Sequence, residues 1–202
     1  MPTRRLDPKT TALLLIDLQN DALHPKGAYG RAGLTCDLVS ALPAHLAPLA
    51  QAMRERGGWI VATHLTIMEG KQGEPLLTEH MRELRPFLKH GDFQQGSWGH
   101  QLVDELGQAD LHIDKFAFSA FYMTALEWML RHIKVDTLLI AGLTTPVSIA
   151  TTLRDALLRD FRGIVLSDGV GSFEPKQHRS ALAEMATISQ IKTCAQVREL
   201  VA

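Results

Sequence analysis

The sequence has few cysteines, no excess of charge of either sign and no long apolar run. Cys36 and Cys194 are its only cysteines, which excludes a disulfide framework or a cysteine-rich metal cluster and predicts a cytoplasmic protein. A formal net charge of −1 gives no basis for nucleic-acid or membrane-surface binding, so neither partner is expected. Without an apolar run of membrane-spanning length, a transmembrane segment is not predicted either.

What the chain does contain is enough apolar sequence for one large core. Its 202 residues are 46% hydrophobic and 21% charged, which predicts a single domain over 1–202. Apolar runs alternate with segments of helical periodicity. Strands are predicted at 11–17, 59–63, 111–115, 138–141, 163–167 and 188–191, and helices at 37–56, 124–132, from 147 onward, 175–186 and the C-terminus. Such repeats predict a single-domain three-layer α/β/α fold with a doubly wound, six-stranded parallel sheet.

The most informative stretch is Thr137-Leu-Leu-Ile-Ala-Gly-Leu-Thr-Thr-Pro-Val-Ser148. A buried strand is followed by Gly142 and Pro146, and helical periodicity begins at Val147. Ser148 is thus predicted to lie in the first helical turn, among unpaired backbone N–H groups at the positive end of the helix dipole. A nucleophile there would have its oxyanion stabilised. An ordinary helix cap is the alternative for this serine.

Two further residues capable of chemistry are predicted at equivalent strand ends. Asp17 closes the first strand and Lys115 closes the third. Taken singly, Asp17 could belong to a turn and Lys115 could be a solvated strand end. Because ligands bind beyond the carboxyl ends of parallel strands, an acid, an amine and a hydroxyl at three such ends favour a catalytic site of Asp17, Lys115 and Ser148.

Three motifs carry a resemblance that covers almost the whole chain. Leu13-Leu-Leu-Ile-Asp-Leu-Gln-Asn-Asp21, Lys115-Phe-Ala-Phe-Ser-Ala-Phe121 and Gly142-Leu-Thr-Thr-Pro-Val-Ser148 resemble the isochorismatase-like cysteine hydrolases. The resemblance implies hydrolysis of a linear C–N bond in a small amide, ureide or carbamoyl compound, without a cofactor. In the amidases of that family an Asp, a Lys and a Cys form the triad, and Asp17 and Lys115 match the first two.

Ser148 stands where those amidases carry the cysteine. A thiol is readily ionised beside a cation and a helix N-terminus, whereas an alcohol is a far weaker acid. Two explanations follow: an engineered Cys→Ser form that traps substrate, or a natural member with other chemistry. The intact amidase pattern around Ser148 favours the first. The alternative functions are vinyl-ether hydrolysis of the isochorismatase type, with Asp17 as the acid, and small-molecule binding without turnover.

The resemblance also implies an oxyanion hole formed by the backbone N–H groups of Thr144 and Ser148, and a cis peptide bond before Thr144. No metal is predicted, because Ala62-Thr63-His64 lacks the carboxylate of the nicotinamidase zinc motif, and His64 and His90 are more typical of packed or surface residues.

Substrate contacts and assembly are predicted less directly. Trp98, Phe121 and Tyr122 are the candidates for the pocket wall, within or beside a long polar segment at 69–107 where substrate-binding loops are expected. Four basic side chains are candidates for an anionic substrate group: Lys71, Arg82, Arg85 and His100. A homodimer or homotetramer is predicted from an apolar face of Leu153, Leu157 and Phe161, and the resemblance implies the same because members of that family commonly form dimers or tetramers.

Overall fold

The computed structural model describes residues 5–201, and a six-stranded sheet forms its centre. In chain order the strands are β1 (Thr11–Ile16), β2 (Trp59–Leu65), β3 (Leu111–Lys115), β4 (Thr137–Leu143), β5 (Arg162–Gly171) and β6 (Gln190–Lys192). Every neighbouring pair is parallel, and the order across the sheet is β3-β2-β1-β4-β5-β6. The predicted doubly wound parallel sheet is confirmed. Residues 1–4 and 202, the ends of the predicted domain, lie outside the described residues.

Helices cover both faces of this sheet. They are α1 (Asn20–Leu23), α2 (Ala28–Arg31), α3 (Asp37–Ser40), α4 (Leu42–Glu55), α5 (Glu79–Leu84), α6 (Leu126–His132), α7 (Ala150–Leu157), α8 (Pro175–Met185) and α9 (Cys194–Leu200). Apolar residues of α4 and α9 pack in the core on one face, and those of α6, α7 and α8 pack on the other. No helix within residues 5–201 has both the length and the apolar character needed to cross a membrane.

The continuous apolar run of β1 is explained by its place between the two cores. Leu13 and Leu15 join the core under α4, while Leu14 and Ile16 join the core under α6 and α7. Successive side chains of a strand point to opposite faces, so a strand covered on both sides must be apolar at every position. All six residues of β1 are buried accordingly.

The chain order reverses between β1 and β4. Strands β2 and β3 lie on one side of β1, and β5 and β6 lie beyond β4. In a doubly wound sheet this reversal leaves a crevice at the carboxyl ends of the two central strands, where ligands bind. Asp17 follows β1 and the 144–148 segment follows β4, so both are placed at the crevice by topology.

The predicted helix at 37–56 and the predicted strand at 163–167 have other bounds in the structure. The single helix predicted at 37–56 is two helices, α3 and α4, that meet at Ala41. Pro43 lacks the N–H group that a continuous helix would need at this point. Strand β5 runs to Gly171, beyond the predicted end at residue 167. Its pairing with β4 shifts register between Ile140 and Gly142.

The predicted assembly face is wrong. Leu153 and Phe161 are buried in the core of the chain itself, and Leu157 is partly buried against it. Helix α7 directs this apolar stripe toward the sheet, and the Phe161 ring lies 5.7 Å from that of Phe121. A homodimer or homotetramer stays a prediction without an assigned surface.

Gly142 controls the close approach of β4 to β1. Its φ is +119°, and a Cβ added there would lie 2.0 Å from the Ile16 carbonyl oxygen. We expect Gly142→Ala to lower the free energy of unfolding by about 3 kcal/mol or more, because a disfavoured φ and an overpacked backbone contact add together. Urea denaturation followed by circular dichroism measures this.

Gly57→Ala is the matched control. Gly57 has a φ of +71°, but a Cβ there meets no atom within 4 Å. The substitution therefore isolates the φ term, which is about 1–2 kcal/mol. Equal losses of stability for the two variants would contradict the steric role assigned to Gly142.

Candidate active site

Asp17 is positioned by a sharp turn directly after β1. Its φ is +58°, a left-handed conformation that Asp tolerates better than most residues. The Asp17 backbone N–H donates to the Thr63 carbonyl oxygen at 3.0 Å, and its Oδ1 accepts from Thr63 Oγ1 at 3.5 Å. The turn thus presents the carboxylate at the crevice, while β2 holds its backbone.

Lys115 ends β3 and reaches the same carboxylate. Its side chain is 1% exposed, and Nζ lies 2.7 Å from Asp17 Oδ2. The amine also donates to the carbonyl oxygens of Ala117 at 2.9 Å and Phe118 at 3.3 Å. These three partners match the three protons of an ammonium group, so Lys115 is fixed in direction as well as position.

The ion pair is buried, and its electrostatics follow from that burial. Loss of water raises the pKa of the Asp17 carboxyl above its ordinary value of 3.8 because burial disfavours the charged form. The charge and hydrogen bond of Lys115 oppose this rise, as does a weaker interaction with Ser148. The proton affinity of Asp17 is therefore set mainly by burial, and a cation and a hydroxyl in its own site oppose that effect.

Ser148 lies in a π-helical turn, Thr145–Ile149, and α7 begins only at Ala150. The sequence predicted a first α-helical turn instead. The N–H groups of Val147 and Ile149 both donate to the Thr144 carbonyl oxygen, at 3.1 and 3.2 Å. Single π turns within helices are frequent at functional sites. The Leu143–Thr144 peptide bond is cis, as the resemblance implied.

One cavity, which we call the strand-end cavity, contains all of these groups. About 50 Å³ of it is accessible to the centre of a water-sized sphere, and the surrounding empty space of about 470 Å³ includes open solvent. Thirteen residues line it: Asp17, Ala22, Tyr29, Leu65, Met81, Arg85, Phe93, Lys115, Phe118, Leu143, Thr144, Ser148 and Phe173. The structure therefore brings together the three predicted catalytic residues and both predicted oxyanion-hole residues. The remaining wall is mostly apolar and aromatic, which suits a small ligand.

The predicted pocket aromatics do not line this cavity, and that prediction is wrong. Trp98 is about half exposed and packs edge-on against His24. Phe121 is buried in the core beside α7, on the far side of the sheet from α4, and Tyr122 is 57% exposed.

Four other aromatic rings form the wall, and sequence reasoning missed them: Tyr29, Phe93, Phe118 and Phe173. Tyr29 and Phe173 lie in the segments that follow β1 and β5, so their position after strand ends was the available signal. Phe118 follows β3 in the same way. Phe93 lies in the polar segment 69–107, where substrate-binding loops were expected.

Of the four basic candidates for an anionic group, the cavity is lined by Arg85 only. Arg82 donates to the carbonyl oxygens of Leu77 and Pro75 outside it. Lys71 is exposed. His100 is buried elsewhere.

His100 belongs to a group of histidines at the edge of the sheet. His64 Nδ1 lies 2.9 Å from the His100 carbonyl oxygen, and His64 Nε2 lies 2.9 Å from His112 Nδ1. Burial is the main cause that lowers the pKa of His64 to about 4 and also lowers that of His100. No set of three or more His, Cys, Asp or Glu side chains within residues 5–201 has a metal-binding arrangement. The expectation of a site without metal stays a prediction.

Comparison with known proteins agrees with the resemblance. Residues 11–199 match the family model of the isochorismatase domain. A ureidoacrylate amidohydrolase RutB from Methylobacterium radiotolerans is 34% identical over 197 residues, which cover 90% of this chain and 75% of that protein.

Solved structures share the fold. A cysteine hydrolase from Pseudomonas syringae pv. phaseolicola superposes with a TM-score of 0.81 at 24% identity, covering 100% of this chain and 97% of the other. An isochorismatase-like hydrolase from Alkaliphilus metalliredigens gives a TM-score of 0.77 at 25% identity, covering 94% and 97%.

The buried ion pair generates a stability prediction. Replacing Lys115 by Met leaves the Asp17 carboxylate buried without its cation, so we expect a loss of about 3–5 kcal/mol in the free energy of unfolding. Asp17→Asn should lower the free energy of unfolding by a comparable amount, because it leaves the Lys115 ammonium buried without its anion. The double variant should lose less than the sum of the two, because neither charge is then stranded. Strictly additive losses in urea denaturation would contradict a coupled pair.

His64 generates a pH prediction. Its pKa is about 4 in the folded chain against an ordinary value of 6.5, so the unfolded chain takes up this proton at higher pH. The free energy of unfolding should therefore fall as the pH falls from about 6.5 toward 4. Urea denaturation at pH 7 and pH 5 measures the fall. His64→Gln should reduce it, whereas His80→Gln, at an exposed position, should not; equal effects would rule out His64 as the source.

Proposed function

The chain belongs to the isochorismatase family, and on that premise we propose that it is an amidohydrolase-type protein acting on a linear C–N bond. The proposed substrates are small amides, ureides or carbamoyl compounds, and no cofactor takes part. The observation that carries this proposal is the buried Asp17–Lys115 ion pair, with its 2.7 Å contact, in one cavity with Ser148. The relative named as a ureidoacrylate amidohydrolase supports the same bond type.

The proposed chemistry is acyl transfer through residue 148. With a thiol there, Asp17 accepts the S–H proton and Lys115 stabilises the ionised pair. The thiolate attacks the carbonyl carbon, the C–N bond breaks, and Asp17 returns the proton to the departing ammonia or amine. Water then hydrolyses the thioester and restores the thiol. The N–H groups of Thr144 and Ser148 are proposed to hold the oxyanion in both steps.

Ser148 limits the first of these steps. A serine hydroxyl is a much weaker acid than a thiol, and no histidine lines the strand-end cavity within residues 5–201 to act as its base. The cavity walls and backbone donors are unaffected by the exchange of sulfur for oxygen. We therefore propose that this chain binds its substrate and turns it over very slowly.

One observation favours a second candidate, vinyl-ether hydrolysis. Burial raises the pKa of Asp17, and a carboxyl group with a raised pKa is better suited to general-acid catalysis than an ordinary one. Such a reaction needs no nucleophile at position 148. Small-molecule binding without any turnover is the remaining alternative.

Ser148→Cys tests the amidohydrolase proposal. We expect ammonia release from small amides and ureides to rise by several orders of magnitude, because an acidic nucleophile is returned to its catalytic unit. Affinity for the same compounds, measured calorimetrically, should change far less. The new thiol should react with iodoacetamide faster than Cys36 or Cys194, the latter being buried with a pKa raised mainly by that burial.

Two further variants serve as controls. Ser148→Ala removes any nucleophile and should bind as the unmodified chain does, without turnover. Asp17→Asn in the Ser148→Cys background should abolish the gained activity, because the proton acceptor is lost. If Ser148→Cys is no more active than the unmodified chain on the amides and ureides that it binds, the amidohydrolase proposal is wrong.

A further inference from the structure

Arg85 contributes a positive charge to the strand-end cavity, and no acid in the described part of the chain neutralises it. It directly follows α5 and lines the cavity with Asp17, Lys115 and Ser148. Within residues 5–201 no carboxylate lies within ion-pair distance of its guanidinium. Lys115, the other cation in the wall, is already paired with Asp17 at 2.7 Å. The ion pair is neutral as a unit, so Arg85 gives the cavity an unbalanced positive charge.

The Arg85 side chain is held by a hydrogen bond to an aromatic residue. Its Nε donates to Tyr29 Oη at 2.9 Å, and Nη1 lies 3.6 Å from the Met81 sulfur. Tyr29 in turn is packed by other rings: it stacks on Phe173, with centroids 4.8 Å apart, and meets Phe87 edge-on at 4.9 Å. The guanidinium is thus oriented by a rigid neighbour.

This arrangement is suited to binding a planar anion. A guanidinium offers five N–H donors in a fixed fork that matches a carboxylate bidentately. Arg85 Nε donates to Tyr29 Oη, while the two terminal nitrogens form no hydrogen bond to a backbone oxygen or carboxylate within the described residues. Charge-assisted hydrogen bonds to a carboxylate are stronger than neutral ones, and more so beside apolar walls that exclude water.

We propose that Arg85 is the specificity-determining residue that binds a carboxylate of the substrate, so that the substrate class is small amido or ureido acids. The inference rests on the proposed function for the identity of the cleaved bond. Binding of the carboxylate by Arg85 does not depend on turnover. Asp17, Lys115 and residue 148 act on the C–N bond, and Arg85 binds the acid group at another part of the cavity wall. Neutral amides of the same size then lack their main polar contact.

The test is calorimetric binding to the unmodified Ser148 chain. The probes are three ureido acids of increasing length, ureidoacetate, 3-ureidopropionate and 4-ureidobutyrate, each compared with its neutral primary amide. We expect at least one acid to bind about 10–100-fold more tightly than its amide, which corresponds to charge-assisted hydrogen bonds of about 1.5–3 kcal/mol. Inorganic phosphate, as a non-planar anion, should compete weakly with the preferred acid.

Variants assign that preference to Arg85. Arg85→Gln should remove the preference for acid over amide, and Arg85→Lys should keep part of it, because the charge remains without the bidentate fork. Tyr29→Phe should weaken binding of the acid by less than Arg85→Gln and leave the amide unchanged. Arg82→Gln, a charge-removing control at an exposed arginine on α5, should leave both ligands unchanged. Circular dichroism establishes that each variant is folded.

Several outcomes would overturn the inference. Equal binding of every acid and its amide by the unmodified chain, or binding of none of the probes, would exclude a carboxylate site. An equal loss for acid and amide in Arg85→Gln would make Arg85 merely structural; should that variant not fold, an unchanged preference in both Arg85→Lys and Tyr29→Phe would have the same meaning. A clear acid preference combined with an inactive Ser148→Cys variant would keep the inference and reject the hydrolase.

Discussion

The arrangement of the site depends on one interaction, the buried contact between the Asp17 carboxylate and the Lys115 ammonium. Two charges removed from water are tolerated only if their attraction and their remaining hydrogen bonds are nearly complete. Here the carbonyl oxygens of Ala117 and Phe118 take the other lysine protons, and Thr63 contacts the second carboxylate oxygen. The turns after β1 and β3 must therefore keep their shape, because any relaxation would leave a charge without a partner.

The framework and the walls of the cavity have different physical origins. Asp17 and Ser148 follow strands of one parallel sheet and Lys115 ends another of its strands, so the sheet fixes the geometry between them. The aromatic wall comes from segments outside the sheet, such as those that carry Tyr29 and Phe93. These aromatic residues are held by ring stacking and a few side-chain hydrogen bonds. Such contacts are short-range, and they form only when several loops pack together.

This difference explains how much the sequence alone could predict. Alternation of apolar runs and helical periods is a local signal, and it was sufficient for the sheet and for the strand-end location of Asp17, Lys115 and Ser148. Pocket walls depend on long-range packing. Phe121 follows Lys115 closely in sequence yet packs into a core near α7, whereas Tyr29 and Phe173 are far apart in sequence and stack. Sequence periodicity does not predict such a pairing. The break between α3 and α4 was marked in the sequence by a single residue, Pro43.

The attachment of Arg85 through Tyr29 has a consequence for how such a protein can diverge. The residues assigned to bond cleavage lie at strand ends, whereas Arg85 follows α5 and is held by a side-chain hydrogen bond to Tyr29. Substitutions in the α5 segment can then accumulate without disturbing the strand ends, provided that Arg85 and its partner Tyr29 change together. Selection for a new ligand would then act on the short segment of α5 and Arg85. The reaction centre would be inherited unchanged by homologues that differ in substrate specificity.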